Sequence, residues 1–417
     1  MLQTTVLFIG YVWPEPTSSA AGSRMLQLLQ FFKNQGATVV FSSPAKKSDH
    51  VHNLTSEGIQ QKEIELNNAS FDDFIKELQP TVVVFDRYMM EEQFGWRVAE
   101  HAPNALRILD TEDLHFLRNE RKNALKQDKD VTNDALLNSE LAKRELASIF
   151  RCDLSLIISE TEMKLLQEVF NVDEKLLCYL PFLLPKQIEI EQSQERIPKG
   201  YTEKEDFIFI GNFIHAPNWD AVLALKETVW PIIRKYLPKA KLHIYGAYAT
   251  EKVYNLHNEK EGFIVHGWAE NAFEVIQNAR VMLAPIRFGA GLKGKLVEAM
   301  QMQTPSVTTA VGAEGINGSY PWNGFIFNNP IDFAHASVAL YTQEEQWQQA
   351  VKNGNRILNM RFDASVHKLN LKTAIDSILE DLQAHRTHNF IGSMLMQQTT
   401  QASKYLSKWI EVKNRSK

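Results

Sequence analysis

Between residues 285 and 315 the chain gathers the side chains best suited to chemistry: Arg287, Gly289, Ala290, Gly291, Lys293, Lys295, Glu298 and Glu314. The apolar run Val281–Pro285 reads as a buried strand, and the loop Arg287–Gly291 delivers the chain into a helix expected over about Leu292–Met302. Small residues at 289–291 let backbone N–H groups approach an anion. The helix N-terminus adds partial positive charge, and Lys293 and Lys295 add full charges. A diphosphate fits such a place. Lys295 and Glu298 lie three apart, so they are neighbours on one helix face. Lys295 would add its charge beside the phosphates, and Glu298 would accept hydrogen bonds from the vicinal hydroxyls of a ribose.

Gly289–Gly294 also satisfies the G-x-G-x-x-G dinucleotide pattern, with Glu314 at the spacing where that pattern wants an acid. The pattern belongs to the first strand-turn-helix of a domain, whereas three strand-like runs precede it here. A nicotinamide-dependent oxidoreductase is therefore the second reading.

These residues need strands to carry them. Apolar runs predict strands at Thr5–Trp13, Thr38–Ser43, Thr81–Asp86, Ala105–Asp110, Ser155–Ser159 and Leu176–Pro181. A second series follows at Phe207–Gly211, Lys241–Gly246, Gly262–Gly267, Val281–Pro285, Ser306–Thr309 and Phe325–Phe327. Alternation with helical segments means α/β domains with parallel, doubly wound sheets, whose ligands bind at the carboxyl ends of strands. Three features sit there in the first series. Gly22, Ser23 and Arg24 occupy the mouth of an anion-ready strand-loop-helix turn; the plainer alternative is an ordinary turn with a solvated arginine. Asp86-Arg87-Tyr88 ends another strand. In the loop Asp110–His115, Asp113 and His115 are candidates to orient a sugar or acceptor hydroxyl, against the plainer reading of a helix cap.

The polar stretch Pro185–Lys204 separates the two series. The expected organisation is a first domain over 1–190, a linker over 191–204, a second domain over 205–388 and a helical segment over 389–417. Phe116–Lys129 is rich in basic residues and reads as a solvated helix face or as contact with an anionic acceptor or membrane surface.

At 417 residues, 44% hydrophobic and 23% charged, the chain has the composition of a globular protein with two ordinary cores. A net charge of −5 argues against a coating of positive charge for nucleic acid. Cys152 and Cys178 read as buried thiols in a reducing compartment. No His, Cys and Glu arrangement has metal spacing, and no stretch reaches the ~18 apolar residues of a membrane span. The expectation is a cytoplasmic protein, with peripheral contact at the inner face of a membrane as an extension; the basic tail Lys404–Lys417 reads as a packed terminal helix with a frayed end.

Arg287-x-Gly-Ala-Gly-x-Lys-x-Lys295-x-x-Glu298-Ala-Met, followed by Pro305-Ser-Val-Thr-Thr and Gly312-Ala-Glu-Gly315, resembles the retaining GT-B glycosyltransferases of the group 1, family-4-like class. Gly211–Val222, with Pro217-Asn218, looks like the opening of that family's nucleotide domain. The resemblance covers Thr5 to about Asp363. It implies two Rossmann-like domains facing a central cleft, the second binding a UDP- or GDP-linked sugar as co-substrate without further cofactor or metal. Asn218, Arg287, Gly289, Ala290, Gly291, Lys293, Lys295, Glu298 and Glu314 would form the donor side, joined by Gly22, Ser23 and Arg24. The acceptor implied is a glycan or lipid-linked precursor. Two departures stand out: Ala290 occupies the position where many relatives carry a donor-contacting glutamate, and Asn212 and Phe213 replace a usual basic pair. The first keeps a non-catalytic sugar-nucleotide-binding protein as a third reading.

Overall fold

In the computed structural model, which describes residues 4–186, 199–397 and Trp409, the apolar runs form two separate parallel sheets. The first comprises β1 (Thr5–Ile9), β2 (Thr38–Ser43), β3 (Gln60–Glu63), β4 (Val82–Asp86), β5 (Leu106–Asp110), β6 (Leu154–Ile157) and β7 (Leu177–Tyr179), in the order β3-β2-β1-β4-β5-β6-β7. The second comprises β8 (Glu205–Ile210), β9 (Leu242–Tyr245), β10 (Phe263–Gly267), β11 (Ala279–Ala284), β12 (Ser306–Thr308) and β13 (Gly324–Ile326), in the order β10-β9-β8-β11-β12-β13. Both orders reverse beside the first strand, between β1 and β4 and between β8 and β11. That reversal opens the crevice in which such sheets bind ligands.

Alternation along the strands explains the layers. Leu7, Ile9, Val83, Phe85 and Leu109 pack into one core, while Val6, Phe8, Val82, Val84 and Ile108 pack into another on the opposite face. The second domain gathers Phe207, Phe209, Ile244, Val281 and Leu283 into its own core, which Ile158 and Phe182 of the first domain join.

Several expectations are corrected. β1 stops at Ile9 instead of Trp13, because the Tyr11 N–H donates to Asp86 Oδ2 (2.9 Å) and turns the chain toward the cleft. β3 was not expected: Gln60–Glu63 carries no apolar pattern and is held as an edge strand by its pairing with β2. The first helix spans Ala20–Asn34, with the Ser19 hydroxyl accepting from the Gly22 N–H (3.1 Å), so Gly22, Ser23 and Arg24 lie inside its first turns. Residues 191–198 of the expected linker, with 187–190 before them, lie outside the described residues. Lys204, its expected end, is already buried in the second domain, its Nζ donating to Met302 O (2.8 Å) and Thr304 Oγ1 (2.7 Å), and burial lowers its pKa to about 7.

The return to the first domain begins at Asp363, well before residue 389. Leu184 N–H donates to Phe362 O and Ala364 N–H donates to Leu184 O, both at 2.9 Å. Helix Ala364–Glu380 then buries Leu371, Ile375 and Ile378 in a core of the first domain. Arg386 donates to Asp153 at 2.7 and 2.8 Å, and Asn389 caps the carbonyl of Phe150 at 2.7 Å. The basic tail lies outside the described residues except for Trp409. Cys152 and Cys178 are buried free thiols. Among the described residues no helix is long and apolar enough to cross a membrane.

Candidate active site in the interdomain cleft

The carboxyl ends of both sheets line a cleft of about 810 Å³ between the domains. At its second-domain wall, helix Gly294–Gln301 follows β11 and begins two residues later than its apolar pattern predicts. Lys295 and Glu298 both line the cleft. Lys295 Nζ donates to Asn218 Oδ1 (2.6 Å) and lies 4.2 Å from the centre of the Phe209 ring. Loss of solvation pulls its pKa down to about 7, with Glu298 opposing. Burial raises the pKa of Glu298, with Lys295 opposing, and the carboxylate accepts no hydrogen bond among the described residues. Gly211, at the end of β8, makes room: a Cβ there would sit 2.6 Å from Lys295 Nζ and 2.7 Å from Asn218 Cγ. His215, on the cleft lining but open to solvent by its surface area, has its pKa lowered to about 4 by desolvation, with Arg118 and Arg87 adding to the effect.

The glycine loop before the helix is pinned to the first domain. The Gly291 N–H, expected to face phosphate, donates to Glu162 Oε1 (2.7 Å), and Arg121 donates to Gly289 O (2.8 Å). Ala290 packs against a core of the first domain. Lys293 Nζ donates to Gly291 O (3.0 Å), and desolvation lowers its pKa to about 8, with Glu314 opposing. Gly291 has φ +61, and a Cβ on it would meet Asp113 Cβ at 2.8 Å. A Cβ on Gly294 would collide with that of Ala20. The closed approach of the domains thus depends on missing side chains. Gly291→Ala is expected to hold the cleft open and raise the KM for a donor several-fold more than it lowers thermal stability, as steady-state kinetics beside a melting curve would reveal.

Four expected contacts lie elsewhere. Arg24 is buried and locked to Asp110, with Nη2–Oδ1 at 2.9 Å and Nη1 donating to Leu180 O at 2.6 Å, so it is a structural cation and not a solvated or phosphate-facing one. Ser23 Oγ donates to Pro16 O (3.3 Å). Arg287 turns outward to Asp220 (2.8 Å), off the cleft lining. Glu314 is held bidentately by Arg121 (2.8 and 2.7 Å), which removes the free acid that the dinucleotide reading requires. That reading also needs the fingerprint after the first strand of the sheet, and here it follows β11. Arg118 pairs with Asp113, so two of the basic residues of helix His115–Lys126 are spent on internal contacts.

Asp113 and His115 do line the cleft, with His115 Nε2 3.3 Å from Asp113 Oδ1. Burial lowers the His115 pKa to about 4, so the ring is neutral; Asp113, despite its burial, is held below the usual carboxylate range chiefly by Arg118. Gly22 also lines the cleft. The residues that sequence reasoning missed are Glu112, Glu162 and Arg121. Glu112 lies beside Asp113 in the loop Asp110–His115 and Arg121 in the basic run Phe116–Lys129, but neither was given a role at the site; Glu162 gave no local signal, because its partner Gly291 is 129 positions away. Among the described residues no group of His, Cys, Asp and Glu gathers to hold a metal ion.

Residues 204–343 match the family model described as Glycosyl transferases group 1. No curated protein matches the sequence. Among solved structures, sucrose-phosphate synthase from Thermosynechococcus elongatus is similar at 14% identity and a TM-score of 0.64, over 91% of this chain and 100% of that one. A glycosyltransferase from Rickettsia africae gives 14% and 0.65 over 91% and 100%. HepE of Anabaena, solved with UDP and glucose, gives 12% and 0.62 over 90% and 100%. At these identities the likeness is one of fold. The chain thus has the two-domain GT-B architecture, with a Glycosyl transferases group 1 domain over residues 204–343.

Proposed function

We propose that the protein transfers a glycosyl group from a UDP- or GDP-linked sugar to an acceptor hydroxyl with retention of anomeric configuration. The observation that carries this reading is the pairing of Lys295 and Glu298 on one helix at the cleft wall, with the Glu298 carboxylate unengaged. Lys295 takes the charge that develops on the leaving diphosphate, and Glu298 receives the ribose hydroxyls. No protein nucleophile is assigned: the acceptor attacks from the face the diphosphate leaves, and the diphosphate oxygen takes the acceptor proton. Lys293 and the charge of the helix N-terminus assist, while the Gly291 amide, engaged by Glu162, does not. Ala290 leaves the donor sugar without a glutamate contact at that position. The nucleotide in the HepE structure is consistent with the donor class. The acceptor is a glycan or a lipid-linked precursor.

The test is incubation with UDP- and GDP-sugars and saccharide acceptors, with the anomeric configuration of the first product read by NMR. Retention supports the mechanism; inversion contradicts it, and no transfer from any nucleotide sugar contradicts the activity.

The pH dependence follows from Lys295. Its pKa of about 7 in the free site means that the cation is lost above neutrality. Diphosphate affinity is expected to fall by up to about tenfold per pH unit between about 7 and 9 in titration calorimetry. Between about 7 and its ordinary 10.5, the unfolded chain binds more of this proton than the folded one, so the same group adds stability as pH rises. Loss of binding in that window is therefore separable from unfolding.

A further inference from the structure

Three buried side-chain oxygens without a hydrogen-bond partner belong to residues of the cleft lining: Ser18 Oγ, Asp86 Oδ1 and Glu112 Oε1. Buried polar groups in folded proteins are paired with protein, water or ligand, so orphans gathered on one wall mark a place where hydrogen-bonding groups arrive from outside. We propose that Asp86 and Glu112, at the carboxyl ends of β4 and β5, form the acceptor subsite and bind the hydroxyls of an uncharged saccharide. The proposal rests on the glycosyl-transfer reading above and adds the residues and the class of acceptor.

Asp86 and Asp110 are register partners on adjacent strands, and the residues that follow them into the cleft, Arg87 (φ +69) and Glu112 (φ +61), both hold the left-handed backbone that non-glycine residues avoid. Asp86 is 4% exposed; its Oδ2 accepts from the Tyr11 N–H (2.9 Å) and lies 3.6 Å from Arg87 Nη1, while Oδ1 is left over. Glu112 makes no ion pair within the group.

Charge accounting decides the ligand class. Three guanidinium groups serve three carboxylates: Arg24 takes Asp110, Arg87 takes Asp86 and Arg118 takes Asp113. His115 and His215 are neutral. Glu112 is the fourth carboxyl, and burial beside Asp110 pushes its pKa up to about 8, so near neutrality it carries its proton. A protonated carboxyl donates one hydrogen bond and accepts others, which suits a hydroxyl. With Lys293 and Lys295 given to the donor diphosphate, no cation among the described residues of this wall remains for a phosphorylated acceptor, and such a group would meet Asp86 and Asp110 instead. The neighbouring Tyr11 and Val12, 43% and 45% exposed at the cleft wall, offer an apolar surface to the C–H face of a sugar ring. The same loop reaches the donor side: a Cβ on Gly291 would stand 3.4 Å from Glu112 O, so a saccharide held here lies beside the glycine loop.

The test is saturation-transfer NMR at pH 7 with a panel of neutral methyl glycosides and their 6-phosphates, each with and without UDP, and with UDP binding measured separately by calorimetry. The expected result is binding of a neutral glycoside in preference to its phosphate. Glu112→Ala should weaken it about tenfold, Glu112→Gln should leave it within about threefold, and UDP binding should not move in either variant. Asp86→Asn adds a second arm, and the Glu112 variants suffice where that one fails to fold. Preference for the phosphate, glycoside binding unchanged in Glu112→Ala, or no glycoside binding at all overturns the proposal. Glycoside binding that depends on Glu112 in a protein that ignores every nucleotide diphosphate would instead sink the donor reading and leave the subsite standing.

Discussion

Lys295→Ala is expected to lower turnover about 10²–10³-fold, the loss typical of removing one preorganised group that meets charge developing in a transition state. The melting temperature should move by only a few degrees. The lysine is desolvated, with its pKa pulled down to about 7, so its burial contributes little to the fold; what the substitution strands is the Asn218 side chain. Lys295→Arg should not rescue activity. Gly211 and the Phe209 ring close in on Nζ, and a planar guanidinium needs more width than an ammonium. Turnover within tenfold of the parent in Lys295→Ala would remove Lys295 from the mechanism.

The largest effect on stability is expected at Arg24. Its side chain is 1% exposed, its partner Asp110 is fully buried, and the pair ties the first helix to β5 and to the carbonyl of Leu180. Arg24→Ala leaves a buried carboxylate and a carbonyl uncompensated, at a cost of about 3–5 kcal/mol. For a domain of this size that is a fall of roughly 10 °C in the melting temperature of the first domain, readable by calorimetry. Arg24→Met combined with Asp110→Leu should recover much of the loss, since an apolar pair of similar volume meets no desolvation penalty. A fall of only one or two degrees in the single variant would mean that the ion pair is dispensable.

Arg24 also marks where reading by sequence stops. Its type and its position after a strand suit an anion site, and nothing within thirty residues predicts Asp110 as its partner. Arg287 and Glu314 fail in the same way: Asp220 and Arg121 claim them from 67 and 193 positions away. Local pattern was enough for the strands, because parallel strands buried on both faces are continuous apolar runs; β3, polar and at an edge, carries no such run. The helix bearing Lys295 and Glu298 was legible from its spacing, and the Gly289–Gly294 loop from its composition. What these glycines are for was not. Gly291 read as a phosphate-facing position and Gly294 as the last glycine of a dinucleotide pattern, whereas in the fold they admit Asp113 and Ala20 of the other domain. Domain closure is a property of two surfaces, and neither surface is written in one stretch of chain. The acceptor wall is equally non-local: Asp86 and Glu112 are 26 positions apart and meet only through the register of β4 with β5.

The measurement that bears most directly on the central claim is titration calorimetry of UDP, GDP, ADP and NAD against the parent protein, Lys295→Ala and Glu298→Ala at pH 6.5, where Lys295 is mostly charged. One nucleoside diphosphate is expected to bind the parent, each substitution to weaken it at least about tenfold, and NAD not to compete. A nucleoside diphosphate that binds all three proteins equally, or a response to NAD alone, would contradict that claim.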